Sequence, residues 1–178
     1  MGCESKAGWL SSRLLLTLLF IHMEAPWQQP EIVAHCRLLA ESHFYWTRQP
    51  LLEGDRSDSQ LAQALYEAPF VLVSHSTQYD PVFNYANRCA QNLWKLSWEQ
   101  FTTLPSRASA EPIENSRRQA LLDNAKKQGV IQNYQGVRIS SEGRRFYISD
   151  VTLWNVVDHA GRYHGQAARF DRWEFMEA

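Results

Sequence analysis

The chain has 178 residues, a formal net charge of −1, and a composition that is 44% hydrophobic and 21% charged. That length suits one domain able to bury a core without staples, and near-neutrality argues against strongly electrostatic partners such as bulk nucleic acid or an anionic membrane. The three cysteines, Cys3, Cys36 and Cys89, form no Cys-x-x-Cys pair and leave one unmatched, which argues against a zinc ribbon or disulfide framework and fits a reducing, cytoplasmic compartment.

Residues 1–29 read as an N-terminal extension. Lys6 and Arg13 precede the apolar run "LLLTLLFI" at residues 14–21, which has the make-up of a signal h-region. The run is shorter than the roughly 20 residues of a bilayer crossing, and His22, Met23, Glu24, Ala25 and Pro26 offer no good cleavage site. Either the functional start is Met23 or this is a weak targeting segment; firm membrane association is not expected.

From Pro30 to about Gln49, apolar residues at Ile32, Val33, Cys36, Leu39, Ala40, Phe44 and Tyr45 recur at three and four, the stripe of an amphipathic helix. "LLEGDRSD" is a loop, and Ser57 or Asp58 caps a second helix through Leu61, Ala62, Leu65 and Tyr66 that ends by Pro69. "FVLVSH" and "VFNYA" then read as two strands joined by the turn "STQYDP". At Asn87 the period changes from two to three and four: its side-chain oxygen suits an N-cap, and Cys89, Ala90, Leu93 and Trp94 form the following helical stripe. Ser97 caps a short helix ending by Pro105.

Pro112 opens a further helix, with Glu114 in its first turn, Lys126 and Lys127 in its last, and Gly129 at the left-handed closing position. Extended segments follow over about 130–139, 145–157 and 162–175. They are separated by "SSEG" and "DHAG", whose Gly143 and Gly161 supply hairpin-turn chemistry. The expected architecture is α+β: a five-stranded antiparallel sheet with helices on one face, occupying 30–176, with a helical lead-in over 30–68.

"APFVLVSHSTQYDPVFNYANRCAQNLWKLSWEQF" resembles the opening of a PAS domain, and "YQGVRISSEGRRFYISDVTLWNVVD" with "ARFDRWEF" resembles the MEKHLA family more specifically. That family is a PAS-related domain found at the C-terminus of certain plant homeodomain-leucine zipper factors and as stand-alone bacterial proteins. The likeness runs over roughly residues 30–176. It implies a sensory or protein-interaction module. No homeodomain, basic helix or leucine heptad run accompanies it here, so nucleic-acid binding is not carried over.

Aromatic residues dominate the candidate site. Tyr85, Trp94, Tyr134, Trp154 and Phe170 fall on strands or the covering helix and would line a cavity for a small apolar ligand, with Asn84, Arg138 or Gln166 as polar contacts and Asn87 as structural cap. The alternative occupant of the surface is a protein partner or a second copy. No residue singles out a cofactor, haem included. Cys89 lacks the surrounding motif of the flavin-adduct cysteine in light-sensing PAS relatives and reads as a buried thiol.

The histidines show no metal spacing; His35 and His43, two turns apart on one helix, are too distant to share an ion. Ser74 and His75 are neighbours on a strand and point to opposite faces. The expectation is a non-enzymatic module. The competing reading is a small α+β hydrolase or isomerase using Asp150 or Asp158 with His159 or His164.

Overall fold

The structure is a computed structural model that describes residues 25–110, 120, 123–124 and 126–177. Two helices lead: α1 (Pro30–Thr47) and α2 (Asp58–Tyr66). Pro30 sits in the first turn of α1, and Arg48 closes it at φ 61, its N–H donating to Phe44 O. Ser57 caps α2 in a reciprocal box with Gln60. After them come β1 (Val71–His75), β2 (Phe83–Ala86), α3 (Arg88–Trp94) and the single turn α4 (Trp98–Phe101), capped by Ser97. The chain closes with β3 (Val130–Ile139), β4 (Arg145–Val157), β5 (Tyr163–Phe170) and β6 (Arg172–Phe175). Most of the helix expected over 112–129 lies outside the described residues; residues 126–128 are helical and Gly129 follows at φ 88.

The strands form one antiparallel sheet in the order β2-β1-β5-β4-β3. The sixth strand continues the last expected run: β5 pairs with β4 over Thr152–Val157, and β6 extends along the same edge over Phe146–Ser149. The interruption falls at Asp150, whose φ is 54 and whose carboxylate accepts from Arg172 at 2.7 Å.

Both faces of the sheet are covered. On one, Cys36, Leu39, Leu61 and Leu65 of the lead-in helices pack against Leu72, Tyr85, Trp154 and Val156. On the other, Ala90, Leu93 and Trp94 of α3 and Phe101 of α4 pack against Val71, Val73, Phe146, Ile148, Val151 and Phe170. No helix among the described residues is long and apolar enough to cross a membrane.

Asn87 is the joint where strand becomes helix. It is fully buried, and its Oδ1 accepts from Ala90 N and from Leu72 N, each at 3.1 Å. Its Nδ2 donates to Phe70 O at 2.7 Å and Leu65 O at 3.3 Å. One side chain thus caps α3 and ties it to β1 and to the end of α2, so the helix must fold back across the sheet.

Candidate ligand-binding site

Three irregularities in the ladder decide which side chains share a cavity. Pairing of β1 with β2 runs Val73 to Ala86, Ser74 to Tyr85, then His75 to Phe83, leaving Asn84 as an extra residue. Alternation alone would put Phe83 and Tyr85 on one face; the bulge sends Phe83 to the α3 side and Tyr85 to the α1 side. On β3 the bulge surrounds Asn133, at φ 58, so that Ile131 and Tyr134, three apart, lie together. On β4 it surrounds Asp150, so Ile148 and Val151 share the α3 side while Trp154 and Val156 turn to the other.

The result is a cavity of about 50 Å³ between the sheet and α3. Val73, Phe83, Ile131, Ile148, Val151 and Phe170 supply its apolar walls, and Trp94 closes it from α3. The Trp94 ring meets Phe101, Phe146 and Phe170 edge-on, with centroids 5.7, 5.1 and 6.2 Å away, the arrangement that the ring quadrupole favours.

The polar groups at this cavity include Arg138, Tyr134, His75 and Gln166. Arg138 is 7% exposed. Its Nη1 donates to Val137 O at 2.7 Å and its Nη2 to the Tyr134 hydroxyl at 2.9 Å, with the guanidinium carbon 5.4 Å from the Tyr134 ring centre. Gln166 donates to Asn155 Oδ1 at 3.1 Å.

A family model described as the MEKHLA domain matches residues 33–175. The chain belongs to the MEKHLA family. The curated relatives that it matches include the homeobox-leucine zipper protein HOX10 of Oryza sativa, in subspecies indica and japonica, each 26% identical over 151 residues. The match covers 83% of this chain but spans only 18% of the length of those relatives.

Among solved structures, a PAS domain from Colwellia psychrerythraea superposes with a TM-score of 0.56 at 15% identity, covering 66% of this chain and 94% of that one. An RNA-binding light-oxygen-voltage receptor gives 0.53 at 17% identity, covering 68% and 36%. The light-state dimer of the fungal blue-light photoreceptor Vivid gives 0.51 at 15%, covering 74% and 90%. At these identities the likeness shows the fold: this MEKHLA domain is an α+β PAS-like sheet.

Of the aromatic residues expected at the MEKHLA cavity, Trp94, Tyr134 and Phe170 line it, together with Arg138 and Gln166. Tyr85 and Trp154 stand on the opposite face, against α1. Trp154 Nε1 donates to Ser42 Oγ at 3.1 Å, and its ring meets His43 edge-on. The Tyr85 hydroxyl is buried with no hydrogen-bond partner at normal geometry among the described residues. Burial pushes the Cys36 thiol up to about 12, eased slightly by Tyr85, and burial with the Cys36 charge pushes the Tyr85 phenol well above its usual value.

Asn84 accepts from Ser74 Oγ at 2.6 Å, and Ser74 Oγ is in turn 2.8 Å from His35 Nε2. Sequence adjacency hid this pair: the imidazole beside Ser74 belongs to α1, 39 residues away. With the serine proton given to Asn84, the hydroxyl is not activated as a nucleophile. Burial lowers the His35 pKa to about 4. The apolar cavity residues Val73, Ile131, Ile148 and Val151 were also missed; their signal is the strand alternation once the bulges are placed.

The acid and imidazole residues considered for hydrolysis are held elsewhere. Asp158 Oδ1 accepts from Ala160 N and Arg162 N while Oδ2 accepts from Arg162 Nε, and His164 Nε2 lies 3.0 Å from that oxygen. The hydrogen bonds with His164 and the turn hold the Asp158 carboxyl far below the usual carboxylate range. His159 reaches Glu41 on α1 at 3.2 Å, and Asp150 holds the bulge. None of these four lines the cavity. Cys89 lies on α3 with its thiol 3.9 Å from Pro69 O, and burial raises its pKa.

Proposed function

We propose that this chain is a non-catalytic sensory module, spanning residues 30–176 behind an extension over 1–29, whose cavity takes a small ligand. One observation carries the reading: a cavity walled by core strands and closed by Trp94, mostly apolar in its lining, with a few polar groups, one guanidinium and, among the described residues, no carboxylate. The PAS fold of the solved relatives supports a sensory role, and two of those relatives are named as light-oxygen-voltage receptors or photoreceptors. Catalysis has no comparable support, because the candidate acid–base groups are committed to a turn and a bulge.

One solved relative was studied with a flavin analogue. A flavin does not fit here. Its ring system calls for a pocket in the range of about 300–1,000 Å³, against the 50 Å³ present, and among the described residues no thiol lines that space.

The test is native mass spectrometry with an absorption spectrum on the full chain purified from its own cell. A co-purifying small molecule that is lost on unfolding is expected. Apoprotein alone, with no thermal shift across a metabolite set, would remove the reading.

A second reading rests on α1, where Phe44 and Tyr45 are 50% and 55% exposed beside Arg48, whose guanidinium lies 5.8 Å from the Tyr45 ring centre. Such a patch suits a protein partner or a second copy of the chain. Sedimentation over a range of concentrations should show association that Phe44→Asp abolishes; a monomer throughout, with no partner recovered, counts against it.

A further inference from the structure

The Arg138 guanidinium is unusual in its surroundings. It is 7% exposed, and two of its five N–H donors are used, one on a neighbouring carbonyl and one on the Tyr134 hydroxyl. No carboxylate pairs with it among the described residues, and none lines the cavity that it faces. A buried cation without a counter-charge is costly and is retained where something supplies the missing charge.

The local backbone makes room for this group. Gly136 lies between Tyr134 and Arg138 on β3, and a Cβ there would come within 2.4 Å of the Tyr134 hydroxyl and 3.2 Å of Arg138 Nη1. The absent side chain lets the phenol and the guanidinium meet across it. Because the Tyr134 hydroxyl accepts the Arg138 bond, its own hydrogen stays available to a second acceptor. A guanidinium and a phenol O–H side by side at the rim of an apolar space match a carboxylate head and a short hydrocarbon tail.

Size narrows the class. At about 10–15 Å³ of free space per water-sized atom, the 50 Å³ cavity takes roughly three to five heavy atoms. We infer that it binds a short-chain monocarboxylate, of acetate to propionate size, with the carboxylate on Arg138 and Tyr134 and the alkyl end among Ile131, Ile148, Val151 and Phe170. This rests on the reading of the cavity as a ligand site and gives that ligand a charge and a size.

The experiment uses the full chain titrated with propionate and with its neutral isostere propionamide, followed by calorimetry and by the methyl resonances of Ile131, Ile148 and Val151. Propionate is expected to bind at least about tenfold tighter than the amide, the value of one charge-assisted hydrogen bond, and to shift those methyls. Arg138→Gln should bring the two affinities to parity, and Arg138→Lys should keep part of the preference. If Arg138→Gln fails to fold, the wild-type comparison and the lysine variant still decide.

Equal or tighter binding of the amide overturns the carboxylate assignment while leaving the cavity a ligand site. So does a propionate preference that survives Arg138→Gln. If neither compound binds and native mass spectrometry finds only apoprotein, the carboxylate and the ligand site fall together.

Discussion

Replacing Asn87 by alanine removes one side chain and strands four backbone groups. Leu72 N and Ala90 N lose their acceptor, and Leu65 O and Phe70 O lose their donor, all at a residue with no solvent exposure. A lost N-cap costs about 1 kcal/mol, and each further buried hydrogen bond about 1 kcal/mol net, more where water cannot reach the orphaned group. The expected loss is about 4 kcal/mol, a large share of the roughly 5–15 kcal/mol that holds a domain together. For a chain of this length that corresponds to a fall in melting temperature of about 8–16 °C.

Ser97→Ala is the matched control, because Ser97 caps α4 through a single bond to Gln100 N at 3.2 Å in an exposed position. It should cost about 1 kcal/mol or less. Urea unfolding of both variants and the parent, followed by tryptophan fluorescence and far-ultraviolet dichroism, gives the two differences directly. If Asn87→Ala costs no more than Ser97→Ala, the view of Asn87 as a four-way tie is wrong.

Three further outcomes are expected. Gly165→Ala should destabilise by at least about 3 kcal/mol, because φ is 127 and the new Cβ would lie 1.9 Å from His75 O on β1; Gly161→Ala, in open space at φ 75, should cost only about 1 kcal/mol, both read from urea midpoints. The His35 pKa is lowered to about 4 from 6.5, so the neutral ring's contribution is complete above pH 6.5 and is lost as pH falls towards 4. That loss is at most roughly 3 kcal/mol, adds to the same-sign effect of burial at His43, and should shrink in His35→Gln when unfolding is compared at pH 7 and pH 4.5. Cys36, buried with its pKa near 12, should resist alkylation at pH 8 until the chain unfolds, and Cys89 should react faster than Cys36, as peptide mapping by mass spectrometry would show.

The elements were legible because their signals are local. Pro30, Ser57, Asn87 and Ser97 mark helix starts by backbone chemistry, and Gly143 and Gly161 mark hairpins because φ is 78 and 75 there. Which aromatic residue faces the cavity was not legible. Tyr85 and Phe83 share a parity, as do Trp154 and Ile148, and only the bulges at Asn84 and Asp150 separate them. A bulge is settled by what the partner strand needs, and residues such as Asn84, Asn133 and Asp150 look like ordinary polar positions in a single sequence. Trp94 reaches the cavity from α3, Tyr134 from just after the β3 bulge at Asn133, and Phe170 from the end of β5.

The helices of the lead-in and the cavity have β1 as a party wall. Val73 and His75 look into the cavity, while Leu72 and Ser74, the intervening residues, are gripped from the far side by the apolar cluster and by His35. A peptide plane cannot move for one tenant and stay still for the other, so under the proposed ligand reading pressure from an occupant would reach α1 through the thickness of a single strand. Such a signal would need no hinge, because the Ser74–His35 contact already joins β1 to α1.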